Sequence, residues 1–110
     1  MAGHPRFKEL TIEELALHDA KNADYAKGGN PLGNFNRVAA ILALYPGLDL
    51  GRASVVALVY MLKQLDATLW MLAKGYEGKV ETVGIRLGDV SVYAKLARIL
   101  EEEKDAHNPV

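Results

Sequence analysis

The chain has 110 residues, half of them hydrophobic and a quarter charged, with a formal net charge of −1 and no cysteine. This length predicts a single hydrophobic core, and the lack of cysteine excludes disulfides and thiolate metal sites. A near-neutral charge offers no bulk field to attract duplex nucleic acid. The N-terminus is polar, and the longest apolar run, residues 55–62, is too short to span a bilayer. We therefore expect a cytoplasmic protein that does not enter the membrane.

The first two helices are predicted over residues 11–27 and 32–44. Thr11 can accept a hydrogen bond from the backbone three residues on while Glu14 reaches back, which is the capping box that begins many helices. Two glycines, an asparagine and Pro31 form a dense turn signal that ends the first helix. A proline-glycine pair ends the second.

The third and fourth helices are predicted over residues 49–74 and 79–103. Asp49 is the expected N-cap of the third helix, and Gly75 is its expected stop. Apolar residues nearly encircle the N-terminal half of this helix, which is typical of a central helix packed on several sides.

The chain contains no strand signal, because apolar and polar residues do not alternate. We therefore predict an all-α fold, a compact single domain that resembles a four-helix bundle and has the potential to oligomerise. The helical domain spans residues 11–103, between an N-terminal extension over residues 1–10 and a charged C-terminal tail over residues 104–110.

Three aspartates, Asp19, Asp66 and Asp89, lie on or between helix faces that are otherwise apolar. A buried carboxylate is costly unless it is paired or bound to a metal. One explanation is that the three converge on Mg²⁺, which prefers oxygen ligands and keeps waters that a phosphate can displace. The alternative is an internal salt-bridge network that only fixes the packing.

Basic and aromatic side chains occur on the same helices, and they fit either a ligand site or a salt-bridge network. Arg37, Lys63 and Arg86 would neutralise phosphate oxygens in a ligand site, or pair with the aspartates in a salt-bridge network. The aromatic residues that could stack on a base are Tyr25, Phe35, Trp70 and Tyr93. The glycine- and asparagine-rich segment 27–37 could present backbone N–H groups to an anion, or it could be a plain interhelical turn.

The fourth helix carries features of an interface. Gly84 and Gly88 weaken a helix by up to about 1 kcal/mol each relative to alanine, and are better explained by the close approach of another backbone. A second apolar arc on this helix is formed by Ile85, Val92, Leu96 and Ile99. We therefore predict a homo-oligomer contact through the face of Gly84 and Gly88, with contacts inside one bundle as the alternative.

Three short segments, at residues 18–26, 31–35 and 86–94, carry a family resemblance. They read HDAKNADYA, PL-x-NF and RL-x-DV-x-VYA. These patterns resemble small phage-encoded helical proteins that are grouped with the nucleotide modification associated family and described as MazG-like. The similarity extends over about residues 12–100.

The resemblance implies a phage or prophage origin, hence the cytoplasm of a bacterial host, together with a helical fold and a nucleotide-related role. The positions that match the family pattern are Asp24, Tyr25, Asn34, Phe35, Asp89 and Tyr93. Mg²⁺-dependent pyrophosphohydrolases of the MazG type carry Glu-x-x-Glu followed by Glu-x-x-Asp. That pair of motifs is absent here, since Glu13, Glu81 and Glu101 are followed three residues later by Ala16, Gly84 and Lys104.

Together these observations predict a protein that binds a nucleotide or another phosphorylated small molecule, with Mg²⁺ as the cofactor. If it is an enzyme, the expected reaction is pyrophosphohydrolase-like cleavage of a nucleoside triphosphate. The predicted ligand-binding residues are Asp24, Tyr25, Asn34, Phe35, Arg37, Lys63, Arg86 and Tyr93. The predicted metal ligands are Asp19, Asp66 and Asp89. The alternative function is a non-enzymatic oligomeric interaction protein or a ligand-sequestering protein.

Overall fold

The computed structural model describes residues 3–26 and 29–106, with the backbone alone for residues 23–26 and 105–106. Four helices account for most of this part of the chain. They are α1 (Pro5–Ala26), α2 (Gly33–Leu42), α3 (Ala53–Lys74) and α4 (Val83–Ala106). No strand occurs among the described residues. The predicted all-α, bundle-like fold is therefore confirmed.

Helix α3 is the centre of the fold, as its nearly continuous apolar surface predicts. It packs along most of its length against α4 and also contacts α2, whereas α1 makes only a few contacts with α2 and α3. Helices α3 and α4 are antiparallel, because Arg52 at the start of α3 bonds Glu101 near the end of α4. The buried hydrophobic residues in the described chain are few: Val38, Val55, Ala67, Met71 and Ala97.

Helix α1 begins six residues earlier than the capping box predicted. Pro5 occupies the first helical position, where its fixed φ is favourable and its missing N–H is not needed. The ring Nδ1 of His4 accepts the free N–H of Arg6 at 3.0 Å. Thr11 therefore lies inside the helix, and its hydroxyl donates to the carbonyl of Phe7 at 2.9 Å. The capping-box prediction was wrong because an earlier start signal precedes it.

Helices α3 and α4 also begin about four residues later than predicted. The carboxylate of Asp49 accepts the N–H of Gly51 at 2.9 Å, so it closes a turn ahead of α3 and does not cap the helix. Thr82 caps α4, because its hydroxyl oxygen accepts the N–H of Ile85 at 3.2 Å. The end of α3 is as predicted: Gly75 adopts the left-handed conformation with φ 71°.

The molecule is more extended than a globular chain of this size. Its radius of gyration is 17.8 Å and its principal extents are 57 × 44 × 26 Å, whereas a single globular domain of this length has a radius near ~13 Å. Helix α3 is also long and apolar enough to cross a membrane, judged by length and composition only. The central helix of a helical bundle satisfies the same criterion, so this observation carries no conclusion about a membrane.

Candidate functional site

Asp66 on α3 is the centre of a buried polar network. Its two carboxylate oxygens accept hydrogen bonds from Nε and Nη2 of Arg37, at 2.7 and 2.9 Å. The Nδ2 group of Asn34 donates to the same carboxylate at 2.9 Å and to the carbonyl of Lys63 at 3.1 Å. Because both Nδ2 hydrogens are used, the amide of Asn34 has a fixed orientation at the start of α2.

Arg37 is held from two sides. Its bidentate bond to Asp66 raises the pKa of the guanidinium above its usual value, chiefly through the hydrogen bond. The guanidinium carbon also lies 4.5 Å from the ring centroid of Trp70, a cation–π contact. Gly33 leaves room for this arrangement, since a Cβ at that position would lie 2.8 Å from Nη1 of Arg37. The network therefore ties the first turns of α2 to α3.

A second buried cation joins α3 to α4. The side chain of Arg86 is 0% exposed, and its Nη1 donates to Oε1 of Gln64 at 2.8 Å and to Oε2 of Glu81 at 2.9 Å. Gln64 is buried as well. Burial of a guanidinium requires such partners, because an uncompensated charge inside a protein is costly.

A cleft of about 350 Å³ lies beside the Asp66 network, between the C-terminal half of α1, the turn before α2 and the middle of α3. We call it the α1–α2 cleft. Its lining residues are Glu14, Leu17, His18, Lys21, Asn22, Pro31, Leu32, Asn34, Phe35 and Lys63. The volume lies near the lower end of the range for small-molecule sites, about 300 to 1,000 Å³.

The cleft combines apolar surface with convergent polar groups. Phe35 is 68% exposed and presents its ring at the opening. His18, Lys21 and Lys63 supply nitrogen donors, and Glu14 supplies one carboxylate. The Oδ1 of Asn22 is buried, and no described residue donates a hydrogen bond to it. Such a lining suits a small anion that carries a flat apolar group.

Three of the predicted ligand-binding residues, Asn34, Phe35 and Lys63, meet in this cleft. Arg37 and Asp66 lie behind it and are bonded to each other. The ion pair between them is the arrangement that the salt-bridge alternative predicts. Asp66 therefore acts on the cleft through Asn34, as a positioning residue.

The three aspartates predicted to converge do not form one site. The described residues contain no group of three or more histidine or acidic side chains that could hold a metal ion. Asp19 is exposed and Asp89 is half-buried, while only Asp66 is buried. The inward orientation predicted for Asp19 was wrong, because α1 packs too loosely on the other helices to bury that face. That Mg²⁺ is a cofactor of this protein stays a prediction.

The other predicted residues lie elsewhere. Arg86 is enclosed between α3 and α4 and is not part of the cleft lining. Tyr93 packs edge-to-face on Tyr60, with ring centroids 5.7 Å apart, in a separate groove between the same helices. Asp24 and Tyr25 lie outside the residues whose side chains the structure describes.

The sequence analysis missed the contribution of α1 to the cleft. Glu14, His18 and Lys21 are spaced by four and three residues, so they share one helix face. That spacing is visible in the sequence and could have identified this face. It was overlooked because the small apolar residues of α1 were expected to mark the face that packs on the other helices.

Comparisons of the chain with protein-family models, with curated proteins and with solved structures find no match.

Proposed function

We propose that the protein binds a nucleotide, or a phosphorylated small molecule of similar size, in the α1–α2 cleft. The observation that carries this proposal is the combination of one exposed aromatic ring, Phe35, with three basic side chains around a cleft of about 350 Å³. The basic residues are His18, Lys21 and Lys63. The charged part of such a ligand would contact them, and its base would contact the apolar wall.

Each part of the lining has a chemical task in this proposal. Lys21 and Lys63 act as point charges for phosphate oxygens. Phe35, beside Leu32 and Pro31, offers a face on which a base can stack, and such stacking contributes about 1 to 3 kcal/mol per base.

The Asp66 network supports this site by holding its wall in place before the ligand arrives. Asn34 is fixed by Asp66 and by the backbone of Lys63. A side chain that is already ordered loses little conformational entropy on binding, and that loss otherwise costs about 0.5 to 1.5 kcal/mol per side chain.

Mg²⁺ would bind together with the nucleotide. Nucleotide-bound Mg²⁺ is commonly held by one or two carboxylates together with phosphate oxygens and waters. Glu14 is the carboxylate that lines the cleft and would be the protein ligand. The paired motifs of the MazG-type pyrophosphohydrolases are absent from this chain, and we assign no residue to hydrolysis.

Calorimetric titration with ATP, with and without Mg²⁺, tests the proposal, and release of phosphate or pyrophosphate is measured in the same samples. We expect saturable binding that weakens as salt is added, because the charged contacts are near the surface. Lys21→Ala should weaken ATP binding by about tenfold, since it removes a contact with a charged group. Lys95→Ala, which removes an exposed lysine from α4 outside the cleft, should leave the affinity unchanged.

Inorganic triphosphate, which has phosphates but no base, distinguishes the phosphate contacts from base stacking on Phe35. Phe35→Ala should weaken ATP binding and leave triphosphate binding unchanged, because only ATP has a base to stack. Failure of ATP to bind under both conditions would refute the proposal. Equal ATP affinity in the wild-type, Lys21→Ala and Phe35→Ala proteins would show that the ligand site is not this cleft.

A further inference from the structure

One face of α4 is apolar and exposed in the isolated chain. It consists of Ile85, Gly88, Val92, Leu96 and Ile99, which we call the α4 seam. The spacings of three, four, four and three residues place all five on one side of a helix. The four large side chains are each about half exposed, and no described atom lies within 4 Å of a Cβ built on Gly88.

An apolar groove of about 370 Å³ runs beside the α4 seam, between α3 and α4. Its α3 wall is formed by Ala53, Val56, Ala57 and Tyr60, and its α4 wall by Tyr93, Leu96, Ile99 and Leu100. None of these side chains carries a charge. The α4 seam and the groove therefore lie on one face of the α3–α4 pair. This face shares no lining residue with the α1–α2 cleft.

The chain exposes more surface than a folded monomer of its mass. The accessible area is 8022 Å², whereas about 6,000 Å² is expected for a monomer of this mass. The excess of about 2,000 Å² is spread over the whole chain, and it is as large as the area that each subunit of an obligate homodimer buries, about 1,000 to 2,500 Å². It greatly exceeds the about 800 Å² per partner of a standard transient complex.

From this face and this area, we propose that the α3–α4 face binds a second copy of the chain. A two-fold symmetric interface uses the same patch on both subunits, so that patch must be complementary to itself. Here the seam of one copy can fill the groove of the other, and the reverse contact forms at the same time. Gly88 lets the facing helix approach closely.

A second copy is the occupant that fits best for two further reasons. The uncharged groove provides nothing to recognise a strongly charged peptide, and a net charge of −1 causes little repulsion between two copies. The α4 seam is also centred on Val92, with Ile85 and Ile99 seven residues to either side. An antiparallel pair of α4 helices with its two-fold axis at Val92 would bring apolar residues together along the whole seam.

The mass of the 110-residue chain in solution, measured by light scattering and sedimentation over a range of concentrations, is the first test. We expect twice the chain mass of 12.0 kDa. Val92→Glu should give the monomer mass, because it places a charge in the centre of the interface. Leu69→Glu is the matched control, since Leu69 is 57% exposed and Val92 is 53% exposed. It should keep the wild-type mass.

Disulfide cross-linking is the second test, and it does not depend on a disruptive variant. The chain has no cysteine, so Val92→Cys introduces a single thiol at the proposed symmetry axis. We expect mild oxidation to yield a covalent dimer with Val92→Cys and far less with Ala94→Cys, which is also exposed but lies on the opposite side of α4.

A wild-type monomer at every concentration would overturn the proposal and would leave the face to a different partner or to another segment of a longer chain. A wild-type dimer that Val92→Glu leaves intact, with equal cross-linking at residues 92 and 94, would overturn the proposed face. Because the groove and the cleft have no residue in common, ATP binding by the Val92→Glu monomer reports on the proposed function separately.

Discussion

Asp66 shows how one buried side chain can serve both stability and a binding site. It is only 8% exposed, and both of its oxygens accept hydrogen bonds, from Arg37 and from Asn34. The carboxylate thus joins α2 to α3 and fixes the amide that lines the α1–α2 cleft. Loss of its charge should affect both the folding free energy and the order of the cleft wall.

We expect Asp66→Asn to lower the free energy of unfolding by about 1 to 3 kcal/mol, because the bonds to Arg37 lose their charged acceptor while Arg37 stays partly exposed to water. Urea unfolding followed by circular dichroism measures the change. Asp19→Asn is the control, since Asp19 is exposed, and its effect should stay within about 0.5 kcal/mol. Equal effects of the two substitutions would contradict the assignment of Asp66 as the buried member.

Asp19 is exposed and Asp66 is buried, and this difference shows how much helical periodicity can predict for a single residue. Both aspartates lie on apolar arcs, so the sequence gives them the same inward prediction. The structure separates them because α3 packs against α4 and α2, whereas α1 makes only a few contacts with α2 and α3. Periodicity identifies which face of a helix is apolar, but burial depends on whether another element packs against that face.

At the scale of helices, α4 contacts α3 through the side that carries Arg86 and Ala97. Both residues are buried, whereas Ile85, Val92 and Ile99 of the α4 seam are exposed. The apolar arc of the seam could be found from the sequence, because it follows the helical period. The side of α4 that faces α3 could not, because that orientation depends on the buried bonds of Arg86 to its partners.

Of the helix boundaries, the end of α3 was predicted correctly and three of the helix starts were not. The stop of α3 at Gly75 was predicted because a left-handed residue is a local requirement of the helix end. The starts of α1, α3 and α4 were displaced, because several residues can cap a helix and only one of them does so. Thr82 was overlooked, since no glutamate follows it three residues later.

The start of α3 and the end of α4 are joined by a cluster of Arg52, Ser54 and Glu101. The hydroxyl of Ser54 and the guanidinium of Arg52 both donate to the Glu101 carboxylate. These bonds, that of Ser54 foremost, lower the pKa of Glu101 below its usual value. The stabilisation from ionised Glu101 is therefore present at neutral pH and is lost as the pH falls below about 4, through the lowered pKa.

We expect Glu101→Gln to destabilise the protein at neutral pH. The effect should shrink as the pH falls through the lowered pKa of Glu101, because the wild-type carboxyl then becomes protonated. Urea unfolding of both proteins over a series of pH values from neutral to acid measures this difference. Glu103→Gln controls for the loss of one negative charge from the same end of α4. A destabilisation by Glu101→Gln that does not change with pH would show that the ionised form is not what the cluster stabilises.

At the scale of the whole molecule, the isolated chain has a small core and a large apolar surface. Large hydrophobic residues are exposed on all four helices, and those of α1 are Phe7, Leu10, Ile12, Leu15 and Leu17. Hydrophobic burial is the main favourable contribution to folding. A chain that exposes this much apolar surface gains further stability if a second copy covers part of it, so folding and the proposed association should be thermodynamically linked.

This linkage should make the thermal stability of the protein depend on its concentration. If the dimer is the stable folded form, the melting temperature should rise with chain concentration, because association favours the folded state by mass action. Val92→Glu should melt at a lower temperature that does not depend on concentration, whereas Leu69→Glu should follow the wild type. Differential scanning calorimetry over a wide concentration range measures these dependences. A wild-type melting temperature that is independent of concentration would show that the exposed apolar surface is compatible with a stable monomer and that folding does not depend on association.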